Sequence, residues 1–313
     1  MKVLITGGAG YVGSLLVPEL MQRGHEVRVL DNLMYGQLSL LHCFIDGKFQ
    51  FIRGDVRDKE AVRKAAQGMD HIVHLAAIVG APACRRDERL AWEVNVQGTI
   101  SVGECRKPSQ GFVFASSCSN YGAVDGVCTE DTPLNPLSTY SITKTEAEAH
   151  VLRSGNAVVY RFATGFGLSP RLRIDLMVND FVFRAVKNGA LVVYQKDCRR
   201  TFIHVRDMAR SLVFAVENYD RLAGEVGNVF NVGNEAMNYT KEQVALKVRD
   251  RIEFWLHFAD GGTEPDPRDY EVSYEKIRSN GFETTISLEQ GIDELVHGCR
   301  MVSLRNPFSN VEE

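Results

Sequence analysis

Short apolar runs alternate with helical spacings through the first half of the chain. Lys2–Thr6 is a β-branched apolar run, and Gly7, Gly10 and Gly13 follow it at spacing three. The next apolar residues, Tyr11, Val12, Leu15, Leu16 and Leu20, recur at helical intervals, so the opening reads as strand, turn and helix. A second strand over 26–30 ends in Asp31, and Phe49–Arg53 and residues 71–75, 111–115 and 157–161 each read as a buried strand. Helical patterns fill the gaps near 59–67, 88–102 and 139–152. Repeated β-α units of this kind predict an α/β fold of Rossmann type: a doubly wound parallel sheet covered on both faces.

After Arg161 the alternation breaks. Pro170, a helix over 179–186, a strand over 191–194 and the proline-rich stretch 264–267 predict a smaller, interleaved C-terminal substrate-binding lobe. The expected division is a dinucleotide domain over 1–165, whose sheet also receives about 201–235 with a returning strand at Val229–Val232. The lobe then takes 166–200 and 236–313.

Composition narrows the classes. With 313 residues, 44% of them hydrophobic, the chain can bury one large core or two moderate ones. A formal charge of -4 without a Lys/Arg stripe offers no surface for nucleic acid. Nothing approaches the roughly eighteen apolar residues of a membrane span, and Met1 leads straight into the first strand, so neither a span nor a signal peptide is expected. The seven cysteines are scattered, without C-x-x-C pairs or histidines at ligand spacing, which predicts reduced thiols, no metal site and a cytoplasmic location.

The chemistry starts at the glycines. Gly7, Gly10 and Gly13 let the backbone approach a pyrophosphate whose charge the helix N-terminus favours. Asp31 stands where this fold presents a carboxylate to the adenosine ribose, which selects NAD over NADP. Further on, Tyr140 and Lys144 lie one helical turn apart, just after S-S-C-S-N-Y-G. A phenol near pKa 10 is a poor base at neutral pH, but a nearby ammonium and an oxidised nicotinamide both favour its phenolate. Tyr140 can then remove a hydroxyl proton as hydride passes to NAD.

These residues stand among seven landmarks in order: T-G-G-A-G-Y-V-G (6–13), G-D-V-R-D (54–58), H-L-A-A (74–77), N-V-Q-G-T (95–99), S-S-C-S-N-Y-G (116–122), Y-S-I-T-K (140–144) and R-R-T-F-I-H-V-R-D (199–207). From end to end the chain resembles the extended short-chain dehydrogenase/reductases of the nucleotide-sugar epimerase/dehydratase family. The resemblance implies that Gly7, Gly10, Tyr11, Val12, Gly13, Asp31 and Asn32 hold the cofactor. With them would stand Asp55 and Val56 at the adenine, Leu75, Ala76 and Ala77 along its length, Asn95, Ser116, and Lys144 at the nicotinamide ribose. It implies Ser117 as the hydroxyl that hydrogen-bonds the reacting oxygen, with Ser116 as the alternative. Val79, Ser117, Ser119, Asn120, Tyr140 and Thr164 would face the sugar nucleotide. Its diphosphate would fall to Arg200, Arg268 and the amide of Asn179, and the family commonly has asparagine where Thr164 stands. Similar enzymes pair the helices near 88–102 and 139–152 across a two-fold axis, which implies a homodimer.

Dehydrating members carry Asp-Glu or one Glu at the positions of Cys118 and Ser119, and decarboxylating members keep the glutamate. This chain has neither. Cys118 has two readings, a proton donor as in some relatives or a small buried filler, the usual fate of a free cysteine. Oxidation at C4 of a nucleoside-diphosphate sugar, with or without return of the hydride, is therefore favoured over dehydration and over 4-ketoreduction. A narrower likeness of residues 31–44, 169–181 and 264–273 is to a bacterial branch that includes GDP-D-glycero-α-D-manno-heptose 4-dehydrogenase and serves surface-polysaccharide precursors. The competing class, a silent dinucleotide sensor on the same scaffold, typically loses the Tyr-x-x-x-Lys pair that survives here.

Overall fold

The computed structural model describes residues 1–224, 228–261 and 269–302. Along the chain run β1 (Lys2–Thr6), α1 (Gly13–Gln22), β2 (Glu26–Asp31), β3 (Phe49–Arg53), α2 (Lys59–Ala66) and β4 (His71–His74). Then come α3 (Ala81–Arg86), α4 (Glu88–Trp92), a π-helical stretch Glu93–Gly98, α5 (Thr99–Cys105), β5 (Gly111–Ser117), β6 (Ala123–Cys128) and α6 (Thr139–Arg153). β7 (Ala157–Phe162), β8 (Thr164–Phe166), α7 (Met177–Asn188), β9 (Ala190–Tyr194), β10 (Arg199–His204), α8 (Val205–Glu217) and β11 (Val229–Val232) follow. The remaining strands are β12 (Asn238–Thr240), β13 (Trp255–Ala259) and β14 (Asp269–Val272).

Seven of these strands form one parallel sheet in the order β11-β7-β5-β4-β1-β2-β3. Successive strands leave β1 in one direction through β2 and β3, and in the other through β4, β5 and β7. The crevice beyond the C-terminal ends of β1 and β4 is thus the switch point at which such sheets bind ligands. Covered faces demand apolar residues on both sides of each strand, and every residue of β7 is buried. Leu4, Leu30, Ile72 and Phe114 pack on one face and Val3, Ile5, Val29 and Val113 on the other.

A second apolar cluster around Phe166, Phe181, Leu191, Phe202 and Ile292 builds the smaller lobe. Of the stretch 201–235, only β11 enters the large sheet. β10 instead pairs with β8 and β12, because the chain kinks out of β7 at Ala163 into the separate strand β8. The helix expected over 88–102 is interrupted by the π stretch, whose wider turn is an arrangement recurrent near functional sites.

Candidate active site

The loop after β1 is shaped by close backbone approach. Gly7 adopts φ +71°, and a Cβ there would meet Ala76 N at 2.6 Å, so glycine lets the loops after β1 and β4 touch. At Gly13 a Cβ would meet Gly8 O at 2.5 Å, which draws the loop against the start of α1. Asp31 is buried at the end of β2. Its Oδ2 accepts from Ala9 N (3.0 Å), and its Oδ1 accepts from Leu33 N (2.8 Å) and Gln37 Nε2 (3.3 Å). Burial raises its pKa and the two amides oppose the rise. Beside it Asn32 Nδ2 donates to Asp55 Oδ2 (3.0 Å). Burial alone would raise the Asp55 pKa, but hydrogen bonds from Arg57 and Asn32 hold it below the ordinary value.

At the other end of the cleft, a Ser138/Ser141 capping box starts α6. Tyr140 and Lys144 consequently fall on one face, in successive turns, and both line the cavity. Lys144 is 4% exposed, and its ammonium lies 4.0 Å from the centre of the Phe114 ring. Burial lowers its pKa to about 7 against the opposing pull of Glu148 and Cys84. β5 delivers Ser116 and Ser117. Ser116 Oγ donates inward to Glu148 Oε2 (2.5 Å), while Ser117 Oγ donates to Ser119 Oγ (2.8 Å) and accepts from Ser119 N (3.1 Å). Glu148 is buried against Arg161, whose Nε and Nη2 donate to Glu148 Oε1 at 2.9 and 2.6 Å.

One cavity joins these ends. Its wall includes Gly7, Gly10, Tyr11, Val12, Gly13, Asp31, Asn32, Asp55, Val56, Leu75, Ala76 and Ala77. Val79, Ser116, Ser117, Ser119, Tyr140, Lys144 and Thr164 complete the expected residues found there. Five others expected at the site stand behind the wall. Cys118 is 1% exposed, because the turn after β5 directs it into the core; its Sγ donates to Arg161 O (3.1 Å), and burial pushes its pKa far up. Asn95 spans Ile78 N, Ile78 O and Thr143 Oγ1, bracing the loop after β4 to α6. Asn120 donates to Ser116 Oγ (3.1 Å) and Glu148 Oε2 (3.2 Å). Asn179 accepts from Gly167 N (2.9 Å) and donates to Arg173 O (2.8 Å). Arg200 is buried with Nη1 donating to Arg199 O (2.7 Å). All five hydrogen-bond to polar partners inside the protein. Arg268 lies outside the described residues.

Two cations that the sequence reading assigned no role line the cavity as well. Arg171 and Arg173 project from the segment joining β8 to α7, and Arg173 Nη2 pairs with Asp175 Oδ2 at 2.5 Å. The paired arginines of the R-x-R spacing were the available signal.

The wall fits an extended dinucleotide: carboxylates at one end, helix-start amides in the middle, a phenol and an ammonium at the other. Among the described residues no cluster of metal-ligating side chains occurs, and no helix is long and apolar enough to cross a membrane.

Fold and site together define a nicotinamide-dependent enzyme of the short-chain dehydrogenase/reductase superfamily. Comparison with known proteins narrows the class. The model of the NAD dependent epimerase/dehydratase family matches residues 3–233. The low-salt glycan biosynthesis protein Agl12 of Haloferax volcanii is 30% identical over 95% of this chain and 97% of its own length. UDP-glucuronic acid decarboxylase 1 of Arabidopsis thaliana is 30% identical over 96% of this chain and 70% of its own. The structure of Thermus thermophilus UDP-glucose 4-epimerase in complex with NAD aligns at a TM-score of 0.81 and 27% identity, covering 97% of this chain and all of that one. The chain belongs to the NAD-dependent epimerase/dehydratase family of nucleotide-sugar enzymes.

Proposed function

We propose that the protein oxidises C4 of a nucleoside-diphosphate sugar, a hexose or heptose destined for surface polysaccharide, as a 4-dehydrogenase or 4-epimerase. One observation carries this reading: among the described residues that line the cavity the only carboxylates are Asp31 and Asp55, at the end remote from Tyr140. Dehydration needs a base for the C5 proton and an acid for the departing C6 hydroxyl, tasks suited to positioned carboxyls, and neither Cys118 nor Ser119 supplies one. Bound NAD supplies a hydride acceptor at C4. Tyr140 takes the C4 hydroxyl proton, Lys144 favours the phenolate and holds the nicotinamide ribose, and Ser117 hydrogen-bonds the reacting oxygen. The smaller lobe receives the sugar nucleotide. Agl12, by its name a glycan biosynthesis protein, supports the polysaccharide assignment, and seven free cysteines fit a reducing cytoplasm.

The test is incubation of the purified protein with UDP-, GDP-, dTDP- and CDP-sugars, with products weighed by mass spectrometry. An epimer, isobaric with its substrate, or a 4-keto product lacking two hydrogens is expected. Loss of water would overturn the reaction class.

The protein also acts as a homodimer in this reading. Trp92 on α4 and Ile142 on α6 are 43% and 45% exposed on neighbouring helices, apolar surface that an isologous contact would cover. Light scattering at micromolar concentration is expected to return twice the chain mass, and a monomeric mass would refute the contact.

A further inference from the structure

Glu148 follows Lys144 by one turn on α6, so Tyr140, Lys144 and Glu148 stand in successive turns on one side of the helix. The first two line the cavity, and Glu148 lies behind its wall, buried. Four donors converge on its carboxylate. Arg161 Nε (2.9 Å) and Nη2 (2.6 Å) meet Oε1, while Ser116 Oγ (2.5 Å) and Asn120 Nδ2 (3.2 Å) meet Oε2. A set made of donors alone is that of an ionised carboxylate. It ties α6 to β7 through Arg161 and to the end of β5 through Ser116. Asn120 adds the turn after β5, its Nδ2 donating to Ser116 Oγ (3.1 Å) as well. That turn also carries Ser119, the hydrogen-bond partner of Ser117.

Charge leads to the same residue. Around the Lys144 ammonium stand Tyr140 and Glu148 on its own helix, Cys84 from α3, His74 from β4 and the Phe114 ring of β5. Burial lowers the His74 pKa to about 3 and pushes the Cys84 thiol up to about 12, so both are neutral at pH 7. Among these groups Glu148 therefore supplies the negative charge, and it is faced in turn by Arg161 of β7. A buried ion pair is a poor source of stability, because desolvating both charges offsets their attraction. Two apolar side chains of similar volume would pack there as well, so what the pair adds is placement.

We propose that Glu148 is a positioning residue for the reaction: it locks the end of β5 that presents Ser117 against the helix that presents Tyr140, and its charge stands behind the Lys144 ammonium. This rests on the reading of Tyr140, Lys144 and Ser117 as the reacting groups.

Glu148→Ala would strand Arg161 as a buried unpaired cation, so the test replaces the pair together, Glu148→Leu with Arg161→Met, and urea denaturation verifies the fold. Single-turnover reduction of bound NAD is followed with the member of the UDP-, GDP-, dTDP- and CDP-sugar panel that the wild type converts. The rate is expected to fall about tenfold to a hundredfold, the worth of one charge-assisted hydrogen bond, with affinity for NAD and for that sugar nucleotide unchanged. A second readout needs neither cofactor nor turnover. In NMR of cofactor-free protein with lysine labelled at Cε, the signal missing from Lys144→Met reports Lys144. Its titration midpoint should fall in Glu148→Gln, which keeps an acceptor for Arg161 but loses the negative charge that favours the ammonium. A wild-type rate in the folded double variant overturns the proposal, as does an unmoved midpoint in Glu148→Gln. Loss of NAD affinity in step with the rate overturns it too, since the pair would then only support the wall. A wild-type rate in Tyr140→Phe instead overturns the reading on which the proposal rests.

Discussion

Replacing Tyr140 by Phe is expected to lower turnover about 10²–10⁴-fold, the usual contribution of a general base, with NAD still bound. The ring remains to pack at the start of α6, so the fold is unaffected and only the titrating hydroxyl is lost. Single-turnover reduction of bound NAD, followed by absorbance on the sugar found to be the substrate, gives the measurement. A rate equal to wild type would remove Tyr140 from the chemistry.

The second large effect concerns Lys144. Its pKa in the folded protein is lowered from 10.5 to about 7 by burial, so between those values the unfolded chain binds the extra proton. Stability must then rise with pH in that window. From pH 7 to pH 9 the gain is about 2 kcal/mol, the slope reaching its full ~1.36 kcal/mol per unit only above the folded pKa. Higher pH works the other way. Tyr11, Tyr160 and Cys118 have folded pKa values raised by burial, so they ionise first in the unfolded chain and withdraw stability as they do so. Urea denaturation of cofactor-free wild type and Lys144→Met at both pH values isolates the lysine contribution. The variant should lack the rise, and its turnover should fall by a factor comparable to that of Tyr140→Phe. Parallel pH profiles would show that burial does not lower the Lys144 pKa in this way.

The legible parts of the molecule were those with local periodicity. β1 and β3 match their expected bounds because a buried parallel strand is a short apolar run closed by turn residues. β5 continues past Ala115 to Ser117, since Ser116 and Ser117 stay in register with Arg161 and Phe162 of β7. That pairing is a long-range fact. The same holds for β6 and β14, which pair in parallel although far apart in sequence, and for β8 and β12, each only three residues long. Within the site, residues at strand ends could be placed from motif order. What spacing does not state is the direction of a side chain in a loop. Asn95, Asn120 and Asn179 sit in the right neighbourhood but turn their amides to backbone and buried hydroxyl or carboxylate partners. Arg171 and Arg173 gain their place only because the segment after β8 folds back over α1.

The late arrival of β11 bears on how the chain is made. β7 is buried along its whole length, and its outer edge is covered by Val229–Val232, which leaves the ribosome only after β8, α7, β9, β10 and α8. Until then the nascent sheet carries an apolar strand with unpaired amides and carbonyls, the kind of edge that recruits strands from other chains. Synthesis interrupted between Phe162 and Val232 leaves that edge open, so aggregation during translation should concentrate in products truncated within this interval.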